Sequence, residues 1–251
     1  MRQWFRIASK ALKLARDPYY RKAMLRGVGA AVEHEPLLKT LAAAGIRTVL
    51  DVGANVGQFT LVARRLFPEA RIIAFEPLPE ACAQFQGIHG SDSQVRLVPA
   101  ALGPECATVS MHVSTARDSS SLLPITATQS RLFPGTHESH RENVAVLPLL
   151  QAVEGAELSR SVLLKIDVQG FELQVLQGCE PALASIDFVY IECSFVELYL
   201  GQALAGQVVA WLGDREFHLA GIGGFTPGVS GVGIQADLLF RRETGNLRGA
   251  T

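Results

Sequence analysis

The stretch Asp51-Val-Gly-Ala-Asn-Val-Gly57 decides the fold of this chain. It completes a β-branched run that starts at Thr48, and the segment Phe59–Phe67 that follows has the apolar spacing of a helix. The two glycines let the backbone turn tightly and let a ligand approach closely. The stretch differs from the GxGxxG fingerprint of dinucleotide-binding turns, because Asn55 occupies the middle position. Asp51 repels phosphate and suits a ligand with a cationic amino group, so we predict a ligand-binding turn, with a plain tight turn as the alternative.

Strands and helices alternate along the rest of the chain. This rhythm is typical of a parallel sheet with right-handed crossovers, so we predict an α/β fold. The predicted strands are Thr48–Val52, Arg71–Phe75, Val95–Leu102, Ser161–Val168, Asp187–Cys193, His218–Ile222 and Ala236–Arg241, the last two as an antiparallel pair. The predicted helices include Pro36–Ala44, Pro79–Phe85 and Phe171–Gln177.

The middle of the chain breaks this rhythm. Thr108–Val113 alternates like a half-exposed antiparallel strand, and Val144–Leu150 is a second apolar strand. Between them, residues 114–143 are rich in Ser, Thr, His and Pro and are predicted to form a long loop. Loops of this length inside a compact domain are usually functional or mobile.

The N-terminal segment, residues 1–26, is basic and amphipathic. It holds eight Lys or Arg against one acid, Asp17, and predicts one or two helices broken near Asp17-Pro18. Two interpretations stay open: a helical cap on the domain or on a partner in a homodimer, or contact with an anionic membrane surface. We therefore expect an N-terminal basic helical segment, residues 1–45, and one α/β domain, residues 46–251.

Composition narrows the class of protein. Apolar residues make up 48% of the chain, which fits a folded domain, yet no apolar run approaches the roughly 18 residues that span a membrane. Because the chain after residue 26 is net acidic, we expect no nucleic-acid partner. The four cysteines form no CxxC pair, and we expect reduced thiols in or near the core. The N-terminus lacks the apolar stretch of a signal peptide, which predicts a cytoplasmic protein.

Two acids follow strands that lead to the same edge of the predicted sheet. Glu76 comes directly after Arg71–Phe75, about 20 residues beyond the glycine turn, where a carboxylate suits ribose hydroxyls. Asp167 ends an apolar strand, where a buried acid is costly without partners. We expect Asp51, Glu76 and Asp167 to converge on one ligand, with a helix cap as the alternative role of Asp167.

The ordered set of motifs resembles the FkbM family of methyltransferases. The resemblance covers about residues 46–195, and one departure is Gln169, where the family usually has Glu. It rests on Asp51-Val-Gly-Ala-Asn-Val-Gly57, Phe75-Glu-Pro-Leu-Pro79, Ala101-Leu-Gly103, Ser119-Ser-Ser-Leu122 and Lys165-Ile-Asp-Val-Gln-Gly-Phe-Glu172.

The resemblance implies a Rossmann-like class I methyltransferase fold, with a mostly parallel seven-stranded sheet, helices on both faces and an antiparallel C-terminal strand. It also implies S-adenosylmethionine as donor and O-methylation of a sugar, glycolipid or natural product. By position, the methionine end of the donor is expected at Gly53, Asn55 and Gly57, the ribose at Glu76 with Pro77 beside it, and the adenine at Ala100, Ala101 and Leu102. Asp167 is expected near the sulfonium and the acceptor.

The base that deprotonates the acceptor is not fixed by sequence. Asp167 is placed best by its motif, and His112, His137 and His140 are alternatives, the last two in the predicted loop. His137 and His140 could also be solvated or bind a metal, but no third ligand is recognisable, so no metal is expected. Two other functions stay open: a nicotinamide-dependent oxidoreductase, and a non-catalytic cofactor-binding protein.

Overall fold

A computed structural model describes residues 14–153, 158–228 and 231–243. The strands are β1 Thr48–Val52, β2 Arg71–Phe75, β3 Val95–Val98, β4 Ala101–Leu102, β5 Ala107–Ser114, β6 Glu138–Leu147, β7 Val162–Ile166, β8 Phe188–Ser194, β9 Phe217–Pro227 and β10 Gly233–Arg242. The helices are α1 Pro18–Met24, α2 Glu35–Leu38, α3 Gln58–Leu66, α4 Pro79–His89, α5 Ala127–Leu132, α6 Leu149–Ala152, α7 Glu172–Cys179 and α8 Ala205–Gly213.

The main sheet has seven strands in the order β3-β2-β1-β7-β8-β10-β9. β10 is antiparallel to both of its neighbours, and the pairs among β3, β2, β1, β7 and β8 are parallel. β1 lies between β2 and β7, so Asp51 has Ala74 on one side and Lys165 on the other. The predicted fold class is confirmed, including the antiparallel C-terminal strand.

The sheet separates two layers of core. Along β1, Val49 packs on one face and Leu50 and Val52 on the other, as the two-residue period of a strand requires. The first face is covered by α3 and the N-terminal segment, and the second by α7 and α8. Burial on both faces explains why the central strands read as continuous apolar runs.

A second sheet of three strands, in the order β4-β6-β5, stands beside the main one. The prediction of a single strand over Val95–Leu102 was wrong, because the chain leaves the main sheet after Val98 and pairs Ala101 with Val146 of β6. The predicted loop over residues 114–143 was too long, since it contains α5 and the first half of β6. The first residues of β6 are exposed and polar, so the hydrophobic pattern did not show this part of the strand.

The described part of the N-terminal segment shares a core with the domain. Leu14, Tyr20 and Ala23 are buried in the same cluster as Val49 and Phe59. Asp17 caps α1 by accepting the N–H of Tyr19, at the predicted break. These contacts fit the cap interpretation for residues 14–26, whereas the predictions for residues 1–13 lie outside the described residues.

Two further predictions can be compared with the structure. Instead of one helix over Pro36–Ala44, α2 lies between 3₁₀ turns at Val32–His34 and Lys39–Ala44, and Gly45 ends the last turn at φ 61° as expected.

Cys179 and Cys193 are buried and Cys82 half-buried, but Cys106 is exposed, contrary to the prediction. In the part of the chain that the structure describes, no helix has the length and apolar character needed to cross a membrane.

Candidate functional site

The glycine turn after β1 brings three loops together. Gly53 has φ 74°, and a Cβ there would lie 1.9 Å from the carbonyl oxygen of Asp167. Gly57 has φ 90°, and a Cβ there would lie 2.5 Å from the ring of His89. Both positions therefore need glycine for conformation and for space. Gly53 allows the loops after β1 and β7 to touch.

Glu76 holds a buried carboxylate at the end of β2. Its Oε2 accepts the N–H of Asn55 at 2.9 Å, and its Oε1 accepts the N–H of Leu78 at 2.8 Å. Burial raises the pKa of Glu76 to about 7, against the lowering effect of the N–H groups of Leu78 and Asn55. The carboxylate is thus held in one orientation by the two loops that it joins.

Asp51 lies behind the turn. Its side chain is fully buried, its Oδ1 lies 3.0 Å from Nζ of Lys165, and its Oδ2 accepts the hydroxyl of Thr60 at 2.7 Å. Lys165 also donates to the carbonyl oxygen of Gly53 at 3.0 Å. The expectation that Asp51 faces a cationic ligand is corrected: Lys165 already supplies the cation, and the pair supports the turn from below.

Asp167 and Glu192 are joined by a side-chain amide. Nε2 of Gln169 donates to Oδ1 of Asp167 at 2.8 Å and to Oε2 of Glu192 at 3.0 Å. Burial and the carboxylates of Asp167, Asp237 and Glu172 raise the pKa of Glu192 well above its ordinary value. The glutamine at the position where the resemblance expects Glu therefore separates two acids with a neutral donor.

The cap alternative for Asp167 was wrong. α7 begins at Glu172, and its N-cap residue is Phe171. Oε1 of Glu172 accepts the N–H groups of Val168 and Gly170 instead. Asp167 is therefore free of any role in starting α7.

A cavity opens where the loops after β1, β2 and β7 meet, in the crevice outside the carboxyl ends of the strands. A second recess adjoins it and shares Gly53, Asn55, Asp118 and Asp167 with it. Of the predicted site residues, the cavity is lined by Gly53, Asn55, Glu76, Pro77, Ala101, Leu102 and Asp167. Asp51 and Gly57 lie outside this lining and shape the turn.

The predicted histidines lie elsewhere. His137 and His140 are exposed and are absent from the lining of both the cavity and the recess, so the structure does not bring them to the site with Asp167. Nδ1 of His140 contacts the hydroxyl of Ser139 at 2.8 Å. His112 is buried, and its Nδ1 contacts Oε2 of Glu138 at 2.5 Å. His112 lies on β5, close to the predicted strand, whereas His137 directly precedes β6 and His140 lies on it, where a loop was predicted.

The family is shown by comparison with known sequences. Residues 51–219 match the model of the methyltransferase FkbM domain. The chain belongs to the FkbM methyltransferase family. It thus carries a methyltransferase domain of the S-adenosylmethionine-dependent class, and the nicotinamide-dependent oxidoreductase alternative was wrong.

Three curated relatives of this FkbM chain are informative. Methyltransferase 1 of Beauveria bassiana is 32% identical over 145 residues, 53% of this chain and 58% of that protein. The 2-O-methyltransferase NoeI of Sinorhizobium fredii is 28% identical over 61% of this chain and 66% of its own. The hexuronic acid methyltransferase AglP of Haloferax volcanii is 29% identical over 57% and 54%. The matches thus span roughly half to two thirds of these relatives.

Among solved structures, an rRNA methylase of Streptococcus thermophilus aligns with TM-score 0.48 and 11% identity, over 84% of this chain and 97% of that one.

Several residues of the FkbM site were missed from sequence. Lys165 lies inside one of the motifs that carry the resemblance. Its place on β7 did not show from sequence that its side chain would be buried against Asp51. Arg117 and Asp118 line the cavity from the segment predicted as loop. His34 lines the recess from a 3₁₀ turn that precedes the matched residues, and no local sequence signal marks it.

Proposed function

We propose that this chain transfers the methyl group of S-adenosylmethionine to a hydroxyl oxygen of a sugar, a glycolipid or a natural product. The observation that carries the proposal is the oriented Glu76 carboxylate, which stands at the cavity between a glycine turn and an apolar wall. Asp167 lies across the same cavity, at the end of β7.

The donor fits this set of groups. Each oxygen of Glu76 accepts one backbone N–H, and its second lone pair is left for a ribose hydroxyl. Leu78, Ala101 and Leu102 provide an apolar wall for adenine. The carboxylate of Asp167 complements the positive sulfonium. These residues would hold the donor.

The reaction asks three things of the protein. S-adenosylmethionine, when bound, supplies a methyl group that is already activated on a cationic sulfur. The chain has to align the acceptor oxygen with the carbon–sulfur bond, exclude water and take the hydroxyl proton. Orientation supplies on the order of 7–11 kcal/mol, and a positioned base typically adds roughly 10²–10⁴-fold. Alignment is therefore the larger contribution, and the walls of the cavity and recess provide it.

The acceptor class is supported by two sources. NoeI is named a 2-O-methyltransferase and AglP a hexuronic acid methyltransferase, which favours a sugar hydroxyl for this chain too. The recess beside the donor cavity is lined by polar side chains, among them Gln58, Asp118 and Asp167. Carboxylates and amides of this kind suit the many hydroxyl groups of a sugar.

The test is methyl transfer from radiolabelled S-adenosylmethionine to a panel of hexuronic acid glycosides, neutral glycosides and lipid-linked sugars. We expect an ether-linked methyl group on at least one sugar. Asp167→Asn should abolish turnover while the affinity for S-adenosylhomocysteine stays within a few-fold, and Asp214→Asn, at an exposed site, should match the wild type. Near-normal turnover of Asp167→Asn would remove Asp167 from the reaction. Donor binding without transfer to any acceptor would favour the non-catalytic alternative.

Location and partners belong to the same proposal. We infer a cytoplasmic enzyme. Of the two interpretations of residues 1–26, the cap accounts for residues 14–26, and we propose contact with an anionic membrane surface, which would suit a lipid-linked acceptor, for the basic residues 1–13. Co-sedimentation with phosphatidylglycerol liposomes should weaken when residues 1–13 are deleted, and unchanged binding would contradict the contact. A homodimer is the other partner that we expect, and light scattering at several protein concentrations tests it.

A further inference from the structure

His34 belongs to a buried hydrogen-bonded chain that the predicted site did not include. Its Nδ1 lies 2.7 Å from the hydroxyl oxygen of Tyr190 and 3.3 Å from Oδ2 of Asp237. The hydroxyl of Tyr190 donates to the same Oδ2 at 2.9 Å. The side chains of His34 and Asp237 are only 17% and 10% exposed. His34 and Asp237 lie outside the residues that match the FkbM model, one before them and one after.

These contacts fix the tautomer of the imidazole. A carboxylate only accepts hydrogen bonds, so the single proton of Tyr190 is used by Asp237. Burial and the neighbouring Asp237 raise the pKa of Tyr190, which keeps that proton in place. Nδ1 of His34 must then donate to the tyrosine oxygen, so the neutral ring carries its proton on Nδ1 and its lone pair on Nε2.

Nε2 of His34 has no hydrogen-bond partner among the described residues, while the ring lines the recess that also holds Asp167. The ring packs edge-on against those of Phe59 and Tyr190, with centroids 5.6 Å from each. An oriented imidazole with a free lone pair beside a donor cavity is the arrangement that a general base needs.

The glycine-rich segment of β9 explains how His34 is held. A Cβ at Gly221 would lie 2.7 Å from Cδ1 of Leu37, so glycine lets α2 pack against β9. A Cβ at Gly224 would lie 2.1 Å from Oδ2 of Asp237, so glycine also leaves room for the carboxylate. The segment that follows His34 is therefore fixed against the strand next to Asp237.

We propose that His34 is the general base of the methyl transfer, with Tyr190 and Asp237 as positioning residues. This inference rests on the proposed function. The acceptor hydroxyl gives its proton to Nε2 of His34, and its oxygen forms a bond to the methyl carbon. The carbon–sulfur bond breaks, its electron pair stays on sulfur, and the proton on Nε2 later passes to solvent. Asp237 stabilises the imidazolium that forms.

The charged surroundings of His34 are mixed. The recess is also lined by Glu33, Asp118, Asp167 and Lys165, and Asp237 stands at the rear. Lys165 is paired with Asp51, and β9 contributes His218, which is exposed and paired with Glu243. The carboxylates of Asp118, Asp167 and Asp237 would stabilise the imidazolium of His34 that forms at the moment of transfer.

The variant that tests the proposal is His34→Asn, with His218→Asn as a matched control at an exposed histidine. The asparagine amide can still donate to Tyr190, but the atom in the place of Nε2 is lost. We expect kcat for the sugar acceptor to fall about 100-fold or more, with its KM and the Kd for S-adenosylhomocysteine within threefold. At saturating S-adenosylmethionine, which removes the effect of Glu76 on donor binding, the acidic limb of the pH profile of kcat should vanish in His34→Asn and persist in His218→Asn.

A second readout does not depend on activity. In ¹⁵N-labelled protein saturated with S-adenosylhomocysteine, the ring signals missing in His34→Asn identify His34, and their shifts should show the proton on Nδ1. A proton on Nε2, or a kcat in His34→Asn within threefold of the wild type, would overturn the proposal. If the wild type binds the donor product but methylates no acceptor, the proposed function fails, and this inference fails with it.

Discussion

Nζ of Lys165 lies 3.0 Å from Oδ1 of Asp51, and both side chains are buried between β1 and β7. Burial lowers the pKa of Lys165, but the carboxylates of Asp51 and Asp167 outweigh it and raise that pKa above the ordinary value. The ion pair is thus charged at neutral pH. Because Lys165 also donates to the carbonyl oxygens of Val52 and Gly53, it ties the glycine turn to the central strands.

Lys165→Met should destabilise the fold by about 3–5 kcal/mol, since it leaves the Asp51 carboxylate buried without a cation. The free energy of unfolding in urea measures this. Arg141→Met, which removes an exposed pair with Glu138, should cost less than about 1 kcal/mol. The double variant Lys165→Met with Asp51→Leu should recover part of the loss, and a double variant less stable than Lys165→Met would contradict the account.

Glu172→Gln should remove part of the pH dependence of stability. Burial raises the pKa of Glu172 to about 7, so its stabilising contribution is complete below its unfolded pKa near 4.5 and is lost as pH rises through about 7. The glutamine oxygen can still accept from Val168 and Gly170. We expect equal stability of wild type and variant at pH 5, and a variant more stable by about 3 kcal/mol at pH 8. A stability difference between the wild type and Glu172→Gln that does not change with pH would contradict the raised pKa of Glu172.

Donor affinity should depend on the ionisation of Glu76. Its pKa is raised to about 7, and only the carboxylate accepts both ribose hydroxyls. Calorimetric titrations with S-adenosylhomocysteine should therefore show affinity that weakens about fivefold between pH 7 and pH 6, and little change above pH 8. Glu76→Gln should bind more weakly at pH 8 and show no such pH dependence. Parallel pH curves for the two proteins would contradict this role of Glu76.

Gln169→Glu should destabilise the protein at pH 8 by about 1–3 kcal/mol, because it places a third carboxylate between Asp167 and Glu192. The loss should shrink at pH 5, where one of the acids takes a proton. Glu192→Gln added to this variant exchanges donor and acceptor and should restore most of the stability. Urea unfolding of the three proteins at both pH values tests this prediction. A loss of stability that Glu192→Gln fails to repair would count against the amide bridge.

Much of this fold follows from local sequence. The central strands are buried on both faces, so they appear as apolar runs, and the glycine turn after β1 has its own signal at Gly53 and Gly57. Glu76 and Asp167 could be placed because carboxyl ends of parallel strands meet at one edge. Pairing between segments that are far apart in the chain has no local sequence signal. For example, Ala101 pairs with Val146, more than 40 residues later.

The polar network of the site was harder to predict. Asp51 was assigned to the ligand because sequence spacing shows that a carboxylate precedes the turn but not that Lys165 stands opposite it. His137 and His140 were named as alternative bases because a polar stretch was predicted to be a loop over the site. His34, Tyr190 and Asp237 come from three elements far apart in the chain, and only the fold brings them together.

The position of the donor can be tested by calorimetric titration with S-adenosylhomocysteine of the wild type, Glu76→Ala and the exposed control Glu69→Ala. We expect binding in the micromolar range to the wild type and to Glu69→Ala, and no binding of NAD. Glu76→Ala should bind about 30-fold more weakly, which is roughly 2 kcal/mol. Unchanged affinity of Glu76→Ala, or binding of NAD alone, would contradict the placement of the donor at the carboxyl ends of β1, β2 and β7.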